Sequence, residues 1–384
     1  MRAKLTSGTI RLVLLGFLTF MLYFGDHFSV SLDYPTKTLL DNIYVRLIKC
    51  SLLILLAIEL TRLYYYGIVK NPKSPKIVTN VLTLFLPLVL LTFALEMAFM
   101  FIEQSQEGGL TLASHIWFER HWKPVTPDNY RDSIRTDTAG KKKVLVVGDS
   151  FAAGHGIETV DQRFGDILGH KLGKQYVTYN LGRLGSETGD EFRRLAEFKV
   201  KPNVLVLQYF PNDIEKVARD YGVIPAAFAP YTDLPRVVQP FFRKSYLLNF
   251  IYWQFPHGNF KPFDNYARKA YGTDAITKAH LAELNQFIDY AHKYNSPLYV
   301  VMFPFMNNVE KSAEYTAPVA NFFREKNIPV LEVSKFIGDL SPAERVVGKN
   351  DGHASALVNQ RVGENLFKLI QSDSLFRHVV VQNK

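Results

Sequence analysis

The chain has 384 residues, a formal charge of +9, 47% hydrophobic residues and one cysteine, Cys50. A single cysteine excludes an intramolecular disulfide and any cysteine-based metal cluster. The positive charge is not gathered into a basic run with interleaved aromatics, so nucleic-acid binding is not expected.

Three apolar blocks dominate the first hundred residues, at about 10–25 (IRLVLLGFLTFMLYFG), 48–69 and 77–102. A membrane span needs roughly 20 mainly apolar residues, so blocks two and three read as spans. Block one is short enough for a signal peptide, but no A-x-A-like cleavage site follows it in DHFSVSLDYP. It therefore reads as an uncleaved span. Arg2, Lys4 and Arg11 lie at or before the start of block one, and Arg62, Lys70, Lys73 and Lys76 lie near the connection from block two to block three. Between blocks one and two, Lys37, Arg46 and Lys49 are balanced by Asp26, Asp33 and Asp41. The positive-inside bias predicts an integral protein of the cytoplasmic (inner) membrane, with a cytoplasmic N-terminus and everything beyond Ile102 extracytoplasmic. Glu59 and Arg62, three apart on one helical face, read as an interfacial pair near a helix end, with a buried polar pair as the second reading, whereas Glu96 sits centrally in its block with no partner visible in the sequence.

The chain thus divides into 1–102, an all-α transmembrane region; 103–140, a polar linker; and 141–384, an α/β domain. In the last, short apolar runs predict strands at 143–148, 176–182, 203–210, 297–304 and 328–334. Amphipathic stretches between and after them predict helices at 161–173, 190–200, 274–294 and 354–370. Continuous apolar strands alternating with helices imply a parallel sheet covered on both faces. Residues 214–272 break the rhythm and form an aromatic-rich insertion, too long for a plain connection. It reads as a lid or acyl-binding wall, or as a small packed subdomain around SYLLNFIYW; the helical spacing of the aromatics favours the latter.

Ligands of open α/β sheets bind at the carboxyl ends of the strands. Ser150 stands there, at the end of KKKVLVVGDS. Strand two ends in NLGRLGSETGD, with Gly182 and Gly185, and strand three in QYFPNDIE, with Asn212. GKNDGHAS, just before the last helix, carries Asp351 and His353. This ordered set resembles the SGNH/GDSL hydrolase family. GDSF matches its first block, Gly185 its glycine block, PND its asparagine block and DGH its closing acid–histidine block, over about 143–370. Two departures stand out: Phe151 replaces the family's leucine, and the acid lies two residues before His353 where Asn350 holds the usual position.

The resemblance implies a three-layer α/β/α, flavodoxin-like domain with a serine esterase site. Ser150 is the expected nucleophile, His353 its base and Asp351 the acid that orients the imidazole. The family pattern assigns the oxyanion donors to the backbone amides of Ser150 and Gly185 and the side-chain amide of Asn212. The expected substrate is an acetyl or other short acyl ester on an extracytoplasmic glycan or lipid. The alternatives are an O-acyltransferase of envelope polysaccharide and a non-catalytic glycan-binding subunit. His155 reads as a surface-loop residue, with a place lining the site as its second reading. His115, His121, His170, His257, His280 and His292 show no ligand-like pairing, so neither a metal nor a cofactor is expected.

Overall fold

The computed structural model describes residues 2–24, 43–69, 76–225, 229–255 and 264–373. The chain separates into two compact units. One comprises Met1–Gln104, Leu110–Ile116 and Ala229–Asn259; the other comprises Ser105–Gly109, Trp117–Phe228 and Phe260–Lys384.

The first unit is helical. Its long helices are Arg2–Phe24, Ile43–Gly67 and Lys76–Phe99. Leu15, Leu52, Leu55 and Met100 are buried among them. Glu59 is fully buried, accepts hydrogen bonds from Arg62 Nη2 (2.6 Å) and Nε (3.1 Å), and lies 3.5 Å from Arg11 Nε. This corrects the interfacial reading of the pair. Gly8 permits the arrangement, since a Cβ there would come within 2.7 Å of Arg62 Nη2.

Glu96 also finds its partner, one the sequence could not reveal. Its carboxylate accepts the amides of Tyr246 (2.9 Å) and Leu247 (3.2 Å) and the hydroxyl of Ser245. It thereby satisfies orphan donors at the start of the helix Tyr246–Tyr252. Nearby, the rings of Tyr231 and Tyr252 meet tilted with centroids 4.6 Å apart, and the Tyr231 hydroxyl accepts from Asn249 Nδ2 (2.8 Å) and Trp253 Nε1 (3.2 Å). This part of the aromatic-rich insertion is therefore packed within the helical unit. Residues 226–228 and 256–263 of the insertion lie outside the described residues.

The three expected spans are present as helices, but among the described residues no helix is long and apolar enough to cross a membrane. Arg11, Glu59 with Arg62, and Glu96 interrupt the apolar runs. Asp26, Asp33, Lys37 and Asp41 of the first connection, and Lys70 and Lys73 of the second, lie outside the described residues.

The second unit is built on five parallel strands: β1 (Lys142–Val147), β2 (Tyr176–Asn180), β3 (Val204–Tyr209), β4 (Leu298–Met302) and β5 (Val330–Glu332). Their order is β2-β1-β3-β4-β5, the flavodoxin-like order whose direction reverses beside β1. Side chains alternate across the sheet. Leu145, Val147, Leu205 and Leu207 enter one core with Leu195, Phe287 and Phe323. Val144, Val146, Val204 and Val206 enter the other with Phe164, Leu168, Val358 and Leu366. Burial on both faces explains the continuous apolar runs Val144–Val147 in β1 and Val204–Leu207 in β3.

Several elements escape the sequence reading, among them a helix and a pair of strands. Helix Val309–Glu325 has Pro318 inside it and a buried face that mixes Ser312 and Thr316 with Tyr315, Val319 and Phe323. The strands β6 (Val346–Gly348) and β7 (Asp351–Ala354) pair antiparallel. Asp351 and His353 therefore lie in a strand, and Ser355 caps the following helix Ala356–Ser372 through the amide of Val358.

Candidate active site

The turn after β1 is held from beneath by its neighbouring strand. Gln208, buried in β3, accepts the amides of Asp149 and Ala152, each at 3.0 Å. Asp149 caps the short helix Ser150–Ala153 by accepting from the amide of Phe151 at 2.8 Å. A Cβ on Gly148 would lie 2.2 Å from Gln208 Oε1, so only glycine lets the strand end pass so closely over Gln208. From the β2 side, Asn180 Nδ2 donates to the carbonyl of Ala152 (2.7 Å). Gly182 packs so tightly that a Cβ would lie 2.3 Å from the amide nitrogen of Ala153. Of these, Gly148 and Gly182 stand out in the sequence as glycines at strand ends; Gln208 is hidden inside an apolar strand.

At this edge the predicted residues meet. Ser150 Oγ lies 2.8 Å from His353 Nε2, and His353 Nδ1 lies 2.6 Å from Asp351 Oδ1. All three residues are buried. The two-residue spacing of Asp351 and His353 works because alternate residues of a strand project to one face. Asp351 Oδ1 also accepts the backbone amide of His353 at 3.1 Å. Such a chain can draw a proton from a hydroxyl and hold the resulting imidazolium.

Asp351 is supported on its other oxygen. Ser105 donates its hydroxyl to Oδ2, and His155 Nε2 stands 3.3 Å from the same oxygen. Burial pushes the carboxyl up, but the contacts with His155 and His353 outweigh it and hold Asp351 below the usual carboxylate range. Ser105 belongs to the segment read as a linker, and so does Arg131. The fully buried Arg131 donates to the carbonyls of Gly154 (2.5 Å) and Ile157 (2.6 Å). Neither residue carried a sequence signal, because each acts through partners distant in the chain.

The two other proposed donors lie in the segments that follow β2 and β3. Gly185 follows β2 with φ +63°, a backbone that favours glycine, and open space where a Cβ would stand. Asn212 is half-buried in the one-turn helix Pro211–Ile214 after β3. The preceding Phe210 stacks on Phe151 at 4.3 Å.

His155 is not a surface residue: it is buried, and its ring stacks on His353 at 4.2 Å. His155, Asp351 and His353 offer donor atoms within 4.8 Å of one another, a set a metal ion could use. Those of His353 are already turned toward Ser150 and Asp351. His280 is buried with Nε2 3.0 Å from the hydroxyl of Tyr209, and burial lowers its pKa to about 3. His257 lies outside the described residues.

No family model and no curated protein matches the chain. Among solved structures, it is similar to a carbohydrate acetylesterase family member from Sinorhizobium meliloti, with 13% identity, 61% of this chain and 99% of that chain covered, and a TM-score of 0.36. It is similar to the lipase/acylhydrolase from Enterococcus faecalis, with 13% identity, 60% and 96% covered, and a TM-score of 0.37. It is also similar to a member of the lipolytic protein G-D-S-L family from Veillonella parvula, with 11% identity, 59% and 97% covered, and a TM-score of 0.35.

Asp149, next to the serine, generates a pH dependence. Burial pushes its carboxyl from 3.8 up to about 6, only partly opposed by the amide of Phe151 and the nearby His353. A native pKa above the unfolded one adds stability that is full below the unfolded value and lost as pH rises through about 6. Asp149→Asn cannot titrate. The thermal midpoint of the variant minus that of the wild type should therefore rise between about pH 4 and 6. A flat difference across that window would reject a protonating Asp149.

Proposed function

We propose that this chain is a serine ester hydrolase of the SGNH/GDSL type. One observation carries the reading: the continuous contact from Ser150 Oγ through His353 to Asp351 at the carboxyl end of β1. In this reading Ser150 Oγ attacks the ester carbonyl as His353 Nε2 takes its proton. The resulting imidazolium returns that proton to the leaving alcohol, and Asp351 holds the tautomer and stabilises the charge. Water then enters by the same path and releases the acid. The backbone amides of Ser150 and Gly185 and the side-chain amide of Asn212 receive the oxyanion. One such donor is typically worth about 3 kcal/mol in the transition state.

The substrate is an acetyl or other short acyl ester on a glycan or lipid outside the cytoplasm. The protein is integral to the cytoplasmic membrane through its helical unit. Support for this placement is the Lys/Arg asymmetry and the exposed apolar side chains Val13, Leu14 and Phe17 on the first helix, Ile54 and Leu60 on the second, and Leu84, Leu88 and Leu91 on the third. A reporter fused after Lys384 checks it: alkaline phosphatase should be active there and a green fluorescent reporter dark. The reverse pattern would place the site in the cytoplasm and remove envelope esters from consideration.

Hydrolysis of an aryl acetate by full-length protein in detergent tests the chemistry, with an acceptor sugar added in a parallel assay to detect acyl transfer. Ser150→Ala and His353→Ala should each abolish turnover while leaving the thermal unfolding transition in place. Wild-type turnover by folded Ser150→Ala would end the nucleophile assignment.

The acid is tested by a second pair of variants. Asp351→Asn should cost more activity than Asn350→Ala and less than His353→Ala. A larger loss in Asn350→Ala would shift the orienting role to that residue.

A further inference from the structure

The triad described above does not account for His155. Its ring lies between two others, nearly parallel to both: His353 at 4.2 Å and 4°, and Trp117 at 6.0 Å and 9°. Phe118 meets it edge-on at 5.2 Å. The loop that carries it is fixed with unusual care. Gly154 and Gly156 on either side both have positive φ, 75° and 79°. A Cβ on the first would lie 2.6 Å from the Arg163 side chain, and one on the second 2.5 Å from Val347. The amide of His155 donates to the carbonyl of Ser150 at 2.9 Å. Arg131 binds the carbonyls of Gly154, Ile157 and Glu158 on this loop and that of His121 at the end of the helix bearing Trp117. One guanidinium therefore fastens both the histidine and the ring behind it.

We propose that His155 is a positioning residue for the Asp351–His353 pair. Its ring fixes the plane of the His353 imidazole, so that Nε2 stays directed at Ser150 Oγ. Its Nε2, with Ser105, holds the outer oxygen of Asp351, so that Oδ1 stays directed at His353 Nδ1. The 3.3 Å separation from Asp351 is the loose contact of a resting site, of the kind that tightens once substrate is bound. His155 completes a wall of aromatic rings on one side of the base, while Phe151 meets His353 at 5.0 Å. The inference rests on the esterase reading and deepens it.

The test compares His155→Phe, which keeps the stacked ring, with His155→Gln, which keeps a donor, alongside Ser105→Ala and Ser150→Ala. Aryl acetate hydrolysis is followed across pH by full-length protein whose thermal unfolding is measured in parallel. Both His155 variants should lower kcat by about 10- to 100-fold with little change in KM, the scale expected when a reacting group loses its alignment. The groups facing His353 are Asp351, His155, Ser150 and Phe151, with the carboxyl of Asp149 nearby; those facing His155 are Asp351, His353, Trp117 and Phe118. Loss of the His155 and Ser105 contacts leaves more of the Asp351 charge for the His353 imidazolium. The apparent pKa of the base in kcat/KM should therefore move up in His155→Phe and in Ser105→Ala. Wild-type kcat and pH profile in folded His155 and Ser105 variants, with Ser150→Ala inactive, would overturn the positioning role alone. Activity retained by Ser150→Ala would instead overturn the esterase reading on which it stands.

Discussion

A buried carboxylate must be given donors or it will take up a proton. Asp351 is such a group, and much of the site is arranged around its two oxygens. One accepts the ring and the backbone amide of His353; the other faces Ser105 and His155. These contacts come from segments about 200 to 250 residues away in the chain, as well as from its own strand. They keep the group ionised in a place where burial alone would neutralise it. An ionised acid is what allows a neighbouring imidazole to become charged during proton transfer. The shortened Asp-x-His spacing is compatible with this, because β7 is extended and turns both side chains to one side.

The serine end of the chain of contacts depends on a second constraint, close backbone approach. Gly148 and Gly182 let two strand ends close on the turn with distances that a methyl group would forbid. Gln208 converts that closeness into hydrogen bonds by accepting two amides of the turn. A polar side chain in the middle of a buried strand is costly unless its oxygen is used, and here it holds the turn that presents Ser150. Position at the topological switch of the sheet then leaves the hydroxyl at the rim.

The helical unit follows the same logic with different partners. Glu59 is neutralised by Arg62 and approached by Arg11, and Glu96 is absorbed by the start of a helix from the aromatic-rich insertion. Removing one member of such a buried set leaves an unpaired charge, which is the expensive case. The charged residues that interrupt the apolar blocks are thus internal fasteners of that unit.

Taken by itself, the sequence determined the strand periodicity, the parallel sheet covered on both faces, and the placement of Ser150, Asp351 and His353. Each is a local or repeating signal: apolar runs of strand length, glycines at strand ends, and short blocks in a fixed order. Only the tertiary structure decided the buried place of His155, the use of Ser105 and Arg131 from a segment that reads as a linker, the role of Gln208, and the partner of Glu96. It also decided that Val309–Glu325 is a helix despite Pro318 and its polar buried positions. The physical reason is common to all of these. A polar side chain acquires its function from whichever donor or acceptor stands across from it, and where the partner lies tens to hundreds of residues away, no periodicity along the chain records it.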